Sequence, residues 1–209
     1  MISRPRVFCA SLADVFDNHP SILPEWRADL WALIRATPNL DWLMLTKRSG
    51  NIAKMLPPDW GRGYPNVWLG CTVVNQAEAD RDIPKLMAIP ATVRFLSMEP
   101  LLGPVDLVGD QAESGFKPWL DGIHLVIVGG ESGPGARPTH PDWARSLRDQ
   151  CVKAGVAFHF KQWGNWHPDA LLYTDKDGNC PPPNMNIGKK AAGRLLDGRT
   201  WDEMPEPRA

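Results

Sequence analysis

The chain has little of what marks several common functional classes. Cys9, Cys71, Cys151 and Cys180 are its four cysteines, with no Cys-x-x-Cys among them. A zinc ribbon or a locally drawn cluster loop is therefore excluded. His19, His124, His140, His159 and His167 include no His-x-x-x-His pair, so a metal site would have to be assembled from distant segments. No apolar run approaches the roughly 18 residues that span a bilayer. The basic start, Met1 to Phe8, lacks the apolar core of a secretory signal. The expectation is a cytoplasmic protein with no membrane partner. Formal net charge is only −1, which leaves room for a local basic groove but does not support a surface that tracks phosphates; nucleic acid is neither indicated nor excluded.

What is present reads as alternating strands and helices. Val7 to Ala10 forms a short strand. An amphipathic helix follows His19-Pro20-Ser21 and runs to about Arg35, with Trp26, Leu30, Leu33 and Ile34 on one face. Leu40 to Leu45 is the next strand, then a short helix through Ile52, Met55 and Leu56. Asn66 to Val74 is strand-like, and Asn75-x-x-Glu78 is spaced as a capping box for another helix. Pro84 should begin a separate helical turn, since inside a helix it removes a hydrogen bond and clashes. Val93 to Leu96 makes a fourth strand, Leu101 to Gly122 a long excursion, and His124 to Val128 a fifth strand. Thr139 to Asp142 caps a helix to about Lys153, with Trp143, Leu147 and Cys151 inward and Gly155 closing it. Val156 to Phe160 is the sixth strand. Beyond Gly164 the chain is rich in proline and glycine, with a short basic helix over Gly188 to Leu196.

Six strand–helix repeats predict parallel pairing with right-handed crossovers. An open doubly wound sheet and a partial TIM-like (β/α) barrel both fit. In the open sheet, ligand groups gather at a switch in strand order; in a barrel, every strand end faces one mouth. Polar residues follow all six strands: Ser11 and Asp14, Thr46 and Lys47, Thr72 and Asn75, Ser97 and Glu99, Glu131 and Ser132, Lys161 and Gln162. That distribution favours the partial barrel of about six parallel strands, over residues 1–163, with an irregular extension, 164–209, packed on it. The first strand begins almost at Met1, so the chain looks clipped within its first unit.

The fifth strand is the pivot. Its apolar run ends in Gly129-Gly130-Glu131-Ser132, and Arg137 follows. The glycines let backbone N–H groups approach a ligand, while Glu131, Ser132 and Arg137 add an acid, a hydroxyl and a fixed cation. A loop whose glycines serve only the turn is the plainer reading. Glu99 and Glu131 end neighbouring strands. As a catalytic pair about 5 Å apart they would suit a retaining glycosidase, and at about 7 to 9 Å an inverting one; alternatively each pairs with Lys47, Arg137 or Lys161. Lys161 is also placed to fix a carboxylate or phosphate, and Thr46 and Ser97 to orient it. Trp163 and Trp166 could stack on a sugar or base, or pack in the core. Lys189, Lys190 and Arg194 could meet a phosphate backbone or lie on a solvated helix.

Seven ordered stretches carry a resemblance: Phe8 to Phe16, Leu45 to Arg48, Asn66 to Gly70, Arg94 to Val105, Val126 to Gly133, Phe160 to Gly164 and Gly188 to Gly193. Together they resemble the phage Gp37/Gp68-type proteins of phages and bacterial genomes, including prophages. The resemblance implies a radical S-adenosylmethionine-like β/α barrel preceded by a cysteine-rich segment for a [4Fe–4S] cluster. No such segment stands in this sequence. The expectation is that the chain as written binds no cluster, and that S-adenosylmethionine and [4Fe–4S] enter only with an upstream cysteine segment or a separate chain that supplies one. Three readings remain open: a radical-enzyme-like barrel without its cluster, acting on an unknown small-molecule or macromolecular substrate; a cluster-independent hydrolase using Glu99 and Glu131; and a non-catalytic binding protein.

Overall fold

The computed structural model describes residues 4–10, 12–109 and 119–205. Six strands, β1 (Arg6–Cys9), β2 (Asp41–Thr46), β3 (Val67–Thr72), β4 (Val93–Met98), β5 (Leu125–Gly129) and β6 (Ala157–Gln162), pair in parallel in the order of the chain. Sequential order has no switch point, so each right-handed crossover lays its connection on the same face. The sheet curls into a half-barrel. Among the described residues β1 and β6 are not paired with each other, and that side stays open.

The period of two along each strand sorts side chains between two cores. On the convex face, Met44, Leu69, Cys71, Leu96, Val126 and Phe158 pack beneath α1 (Pro24–Ala36), α3 (Gln76–Met87) and α4 (Pro141–Ala154). The concave face carries a second, smaller cluster, Leu43, Trp68, Val93, Phe95, Leu125 and Ile127, with Met204 of the C-terminal segment packed on it. Phe95 fills the hollow: a side chain at Gly70 on the neighbouring strand would lie 2.4 Å from its ring. The floor of the half-barrel is therefore filled.

Local signals place most element ends. Asn75 Oδ1 accepts from Glu78 N–H at 3.0 Å, while Glu78 Oε2 reaches back to Val74 N–H at 3.1 Å. This is the predicted capping box with its return bond shifted by one residue. His140 Nδ1 accepts from Asp142 N–H at 3.2 Å, and Gly155 ends α4 at φ 67°. Between Ile52 and Met55 runs the short α2.

Three expectations need correction. Pro84 sits inside α3 and starts no new turn. It is exposed, as is Asp80, whose carbonyl loses the hydrogen bond, so water can serve that oxygen while Ala79, Ile83 and Leu86 keep one face buried. On α1 the buried residues are Trp31 and Ile34, whereas Trp26 and Leu33 are about half exposed, at 57% and 49%. Trp31 fixes that rotation: its ring meets Trp60 and Tyr64 at 5.6 and 6.2 Å, and its Nε1 donates to Met55 O. The basic helix is only the turn α5 (Lys189–Ala192), because Gly193 at φ 72° turns the chain away.

Beyond β6 the extension is irregular, with single helical turns at Ala170–Leu172 and Pro183–Met185. Its last part returns along the outer edge of β6. Phe160 N–H donates to Trp201 O at 2.9 Å, Phe158 N–H donates to Glu203 Oε2 at 3.1 Å, and the Trp201 ring stands edge-on to Phe158.

Candidate functional site

The carboxyl ends of β4, β5 and β6 meet at Glu99. Its side chain lies over Gly129, where an added Cβ would be 3.2 Å from the carboxylate. Lys161 Nζ donates to Glu99 Oε2 at 2.7 Å and Gln162 Nε2 to Oε1 at 2.9 Å. A register shift between Val128 and Gly129 makes this possible: Gly129 pairs with Gln162 instead of Lys161, so two consecutive residues of β6 reach one carboxylate. Gln162 is 4% exposed, and its Oε1 is buried with no hydrogen-bond partner among the described residues. Its orientation is set by Glu99, since the opposite one would put an oxygen against the carboxylate.

Glu131 is committed to Arg137. Arg137 donates from Nε and from its backbone N–H to Oε2 at 2.8 and 2.7 Å, and from Nη2 to Oε1 at 2.7 Å. These bonds hold the Glu131 carboxyl well below the ordinary range, at about 2. The two carboxylates thus have separate cations, and Lys47 pairs with neither.

Behind them the chain crosses itself at van der Waals limits. A Cβ on Gly130 would stand 1.9 Å from Trp163 O, and one on Gly164 2.0 Å from Glu131 O. Gly130 N–H donates to Gln162 O and Asn165 N–H to Glu131 O, both at 2.9 Å. Gly130 and Gly164 therefore serve close backbone approach and Gly129 makes room for the Glu99 side chain, the part of the glycine reading that needs no ligand.

The other predicted site residues are placed as follows. Asp14 accepts from Thr46 Oγ1, Lys47 N–H and Phe16 N–H at 2.8 to 2.9 Å, tying the loop after β1 to the end of β2. Thr46 is buried in that tie and Lys47 is exposed beside it. Ser97 is buried at the end of β4, two residues before Glu99. Ser132 is exposed past β5. Trp163 is 3% exposed, packed edge-on against Phe160 with Nε1 donating to Leu195 O, so no face of its ring is free for stacking. Trp166 is half-buried and donates to Ala136 O. Ser11 lies outside the described residues. The structure thus gathers Glu99, Lys161 and Gln162, sets Glu131 and Arg137 beside them on the β5 loop, and leaves Asp14, Thr46 and Lys47 at the β1–β2 end.

Sequence spacing gave no role to His159. It lies on β6 two residues before Lys161, burial holds its pKa below the ordinary value, and Nδ1 stands 3.9 Å from Asp202 with no hydrogen bond. Only its place in β6, in phase with Lys161, could have drawn attention to it.

Cys71 and Cys151 are buried in the convex core, where desolvation pushes both thiols up to about 12, far from the thiolate a cluster needs. Cys180 is exposed in the C-terminal extension, and Cys9 stands at the end of β1. Among the described residues no group of three or more His, Cys, Asp or Glu is placed to hold a metal ion, and no helix is long and apolar enough to cross a membrane.

No curated protein and no solved structure matches the chain. A family profile does, over residues 2–205, so nearly the whole chain belongs to the DUF5131 family of proteins of unknown function.

Proposed function

We propose that this chain is a Gp37/Gp68-type protein whose half-barrel binds a small molecule with an amino-acid headgroup, on a scaffold of radical S-adenosylmethionine-enzyme ancestry. The sequential parallel order, the open side between β1 and β6 and the polar strand ends above a filled floor all support that reading. One observation carries it. Glu99 is gripped by Lys161 and Gln162 in the mouth, and Gln162 Oε1 is left without a donor.

An unsatisfied buried acceptor costs about 1–3 kcal/mol, so the site favours a ligand that brings a donor. A ligand ammonium can serve Glu99 and Gln162 together, while its carboxylate takes over Lys161. S-adenosylmethionine has this pairing of ammonium and carboxylate, and the family resemblance points to the same molecule. The chain's own part is to bind and orient. No reaction is assigned to it alone.

Hydrolysis by Glu99 and Glu131 has weaker support. Three hydrogen bonds from Arg137 occupy Glu131, and Lys161 and Gln162 occupy Glu99, so neither carboxylate is free to hold a water or a leaving group.

Calorimetric titration of the full chain with S-adenosylmethionine tests the proposal. Saturable binding is expected, weakened about tenfold or more by Glu99→Gln, with the far-ultraviolet spectrum unchanged. A wild-type chain that takes up no S-adenosylmethionine would overturn it.

A further inference from the structure

We infer that a groove on the flank of β6 binds the phosphate of a small phosphomonoester. The groove encloses about 370 Å3 and is lined by Lys161, Gln162, Lys189, Lys190, Gly193 and Arg194. It shares Lys161 and Gln162 with the Glu99 centre, while Lys189, Lys190, Gly193 and Arg194 line it without touching that centre.

Charge is the first argument. Four of the lining residues are cationic. Lys161 is paired with Glu99 and Arg194 with Asp202. Lys189 and Lys190 are exposed and have no partner among the described residues. Four cations against two carboxylates leave an excess of two positive charges, which matches the −1.5 to −2 of a phosphomonoester at neutral pH.

Rigidity is the second. Lysines on a loose tail would be ordinary solvated charges, but these two stand on a turn fastened to the barrel on both sides. Gly188 N–H donates to Asn165 O at 2.9 Å, Gly193 O accepts from Trp163 N–H at 3.1 Å, and Ala192 between them is buried. The turn is thus held beside the end of β6, where Lys161 emerges.

Shape and the rest of the molecule select the ligand class. The walls between the charges are mostly apolar, as lysine and arginine stems make them, so a flat organic body can lie against them while its phosphate meets the ammonium groups. The volume suits one nucleotide-sized molecule. A net charge of −1 for the whole chain does not support a surface that tracks a polyanion.

Adenosine 5′-monophosphate and adenosine, titrated separately into the full chain and followed by calorimetry, test the inference. The monophosphate should bind and adenosine should bind about tenfold more weakly or worse. The double variant Lys189→Ala/Lys190→Ala changes only exposed side chains and should remove that difference. Glu99→Gln, which takes away a negative charge nearby, should leave monophosphate binding equal or stronger, separating this site from the mouth. Equal affinity for the two compounds, or an undiminished affinity in the double variant, would overturn the inference. So would a single-stranded oligonucleotide that binds more tightly than the monophosphate with a steep salt dependence, which would assign the groove to a nucleic-acid backbone.

Discussion

Glu131 and Glu99 share a residue type, a position after a strand and a cation apiece, yet they are held differently. Arg137 gives Glu131 three hydrogen bonds, one of them from the backbone, so the carboxylate is part of the loop's own structure. Its folded pKa lies below the ordinary 4.5, at about 2. The stabilisation is therefore complete above the unfolded value and is lost as pH falls from about 4.5 toward 2. Carboxyl titration by nuclear magnetic resonance should find Glu131 well below the ordinary carboxyl range, and Arg137→Ala should return it toward that range. An unchanged midpoint in that variant would remove Arg137 as the cause. The partnership was half legible in the sequence: Arg137 was one of three candidate cations for these glutamates, and six residues of separation within a glycine loop allow the contact without requiring it. The grip of Gln162 on Glu99 was not legible, because it depends on a shift in pairing between β5 and β6 that leaves no trace in either strand's alternation.

Elements were easier to read than their faces. Every predicted strand is present within about two residues, since apolar runs bounded by polar turns fix existence well. The rotation of α1 was misread because apolar residues surround much of that helix, and the aromatic contacts of Trp31 that decide it come from segments distant in sequence. The Asp14 tie belongs to this scale as well, because one carboxylate joins the turn after β1 to the exit of β2. Asp14→Ala removes the acceptor from Thr46, from two backbone N–H groups and from the half-buried turn at once. It should cost about 2 kcal/mol in urea unfolding, with the strand order intact. A loss below a few tenths of a kcal/mol would mean that water replaces the carboxylate freely.

For the whole molecule, polar residues at all six strand ends favoured the barrel, although helix capping puts polar residues at the β-to-α turns of an open sheet as well. What could not be read was how the far edge is protected. No periodicity marks residues 199–204 as a strip along β6, yet Trp201 and Glu203 take up its outward N–H groups and Met204 reaches the concave cluster. Removing residues 197–209 exposes that edge as a template for pairing with another chain. Light scattering should then show self-association at concentrations where the full chain is monodisperse. A truncated chain that stays monodisperse, with an unchanged unfolding midpoint, would mean the strip is dispensable.

A sheet whose neighbours in space are also neighbours in the chain has no slot to hold open for a latecomer. Each strand can dock on the one before it as soon as it leaves the ribosome, so assembly can run in one direction during synthesis, and the strip over residues 199–204, made after β6, acts as the latch.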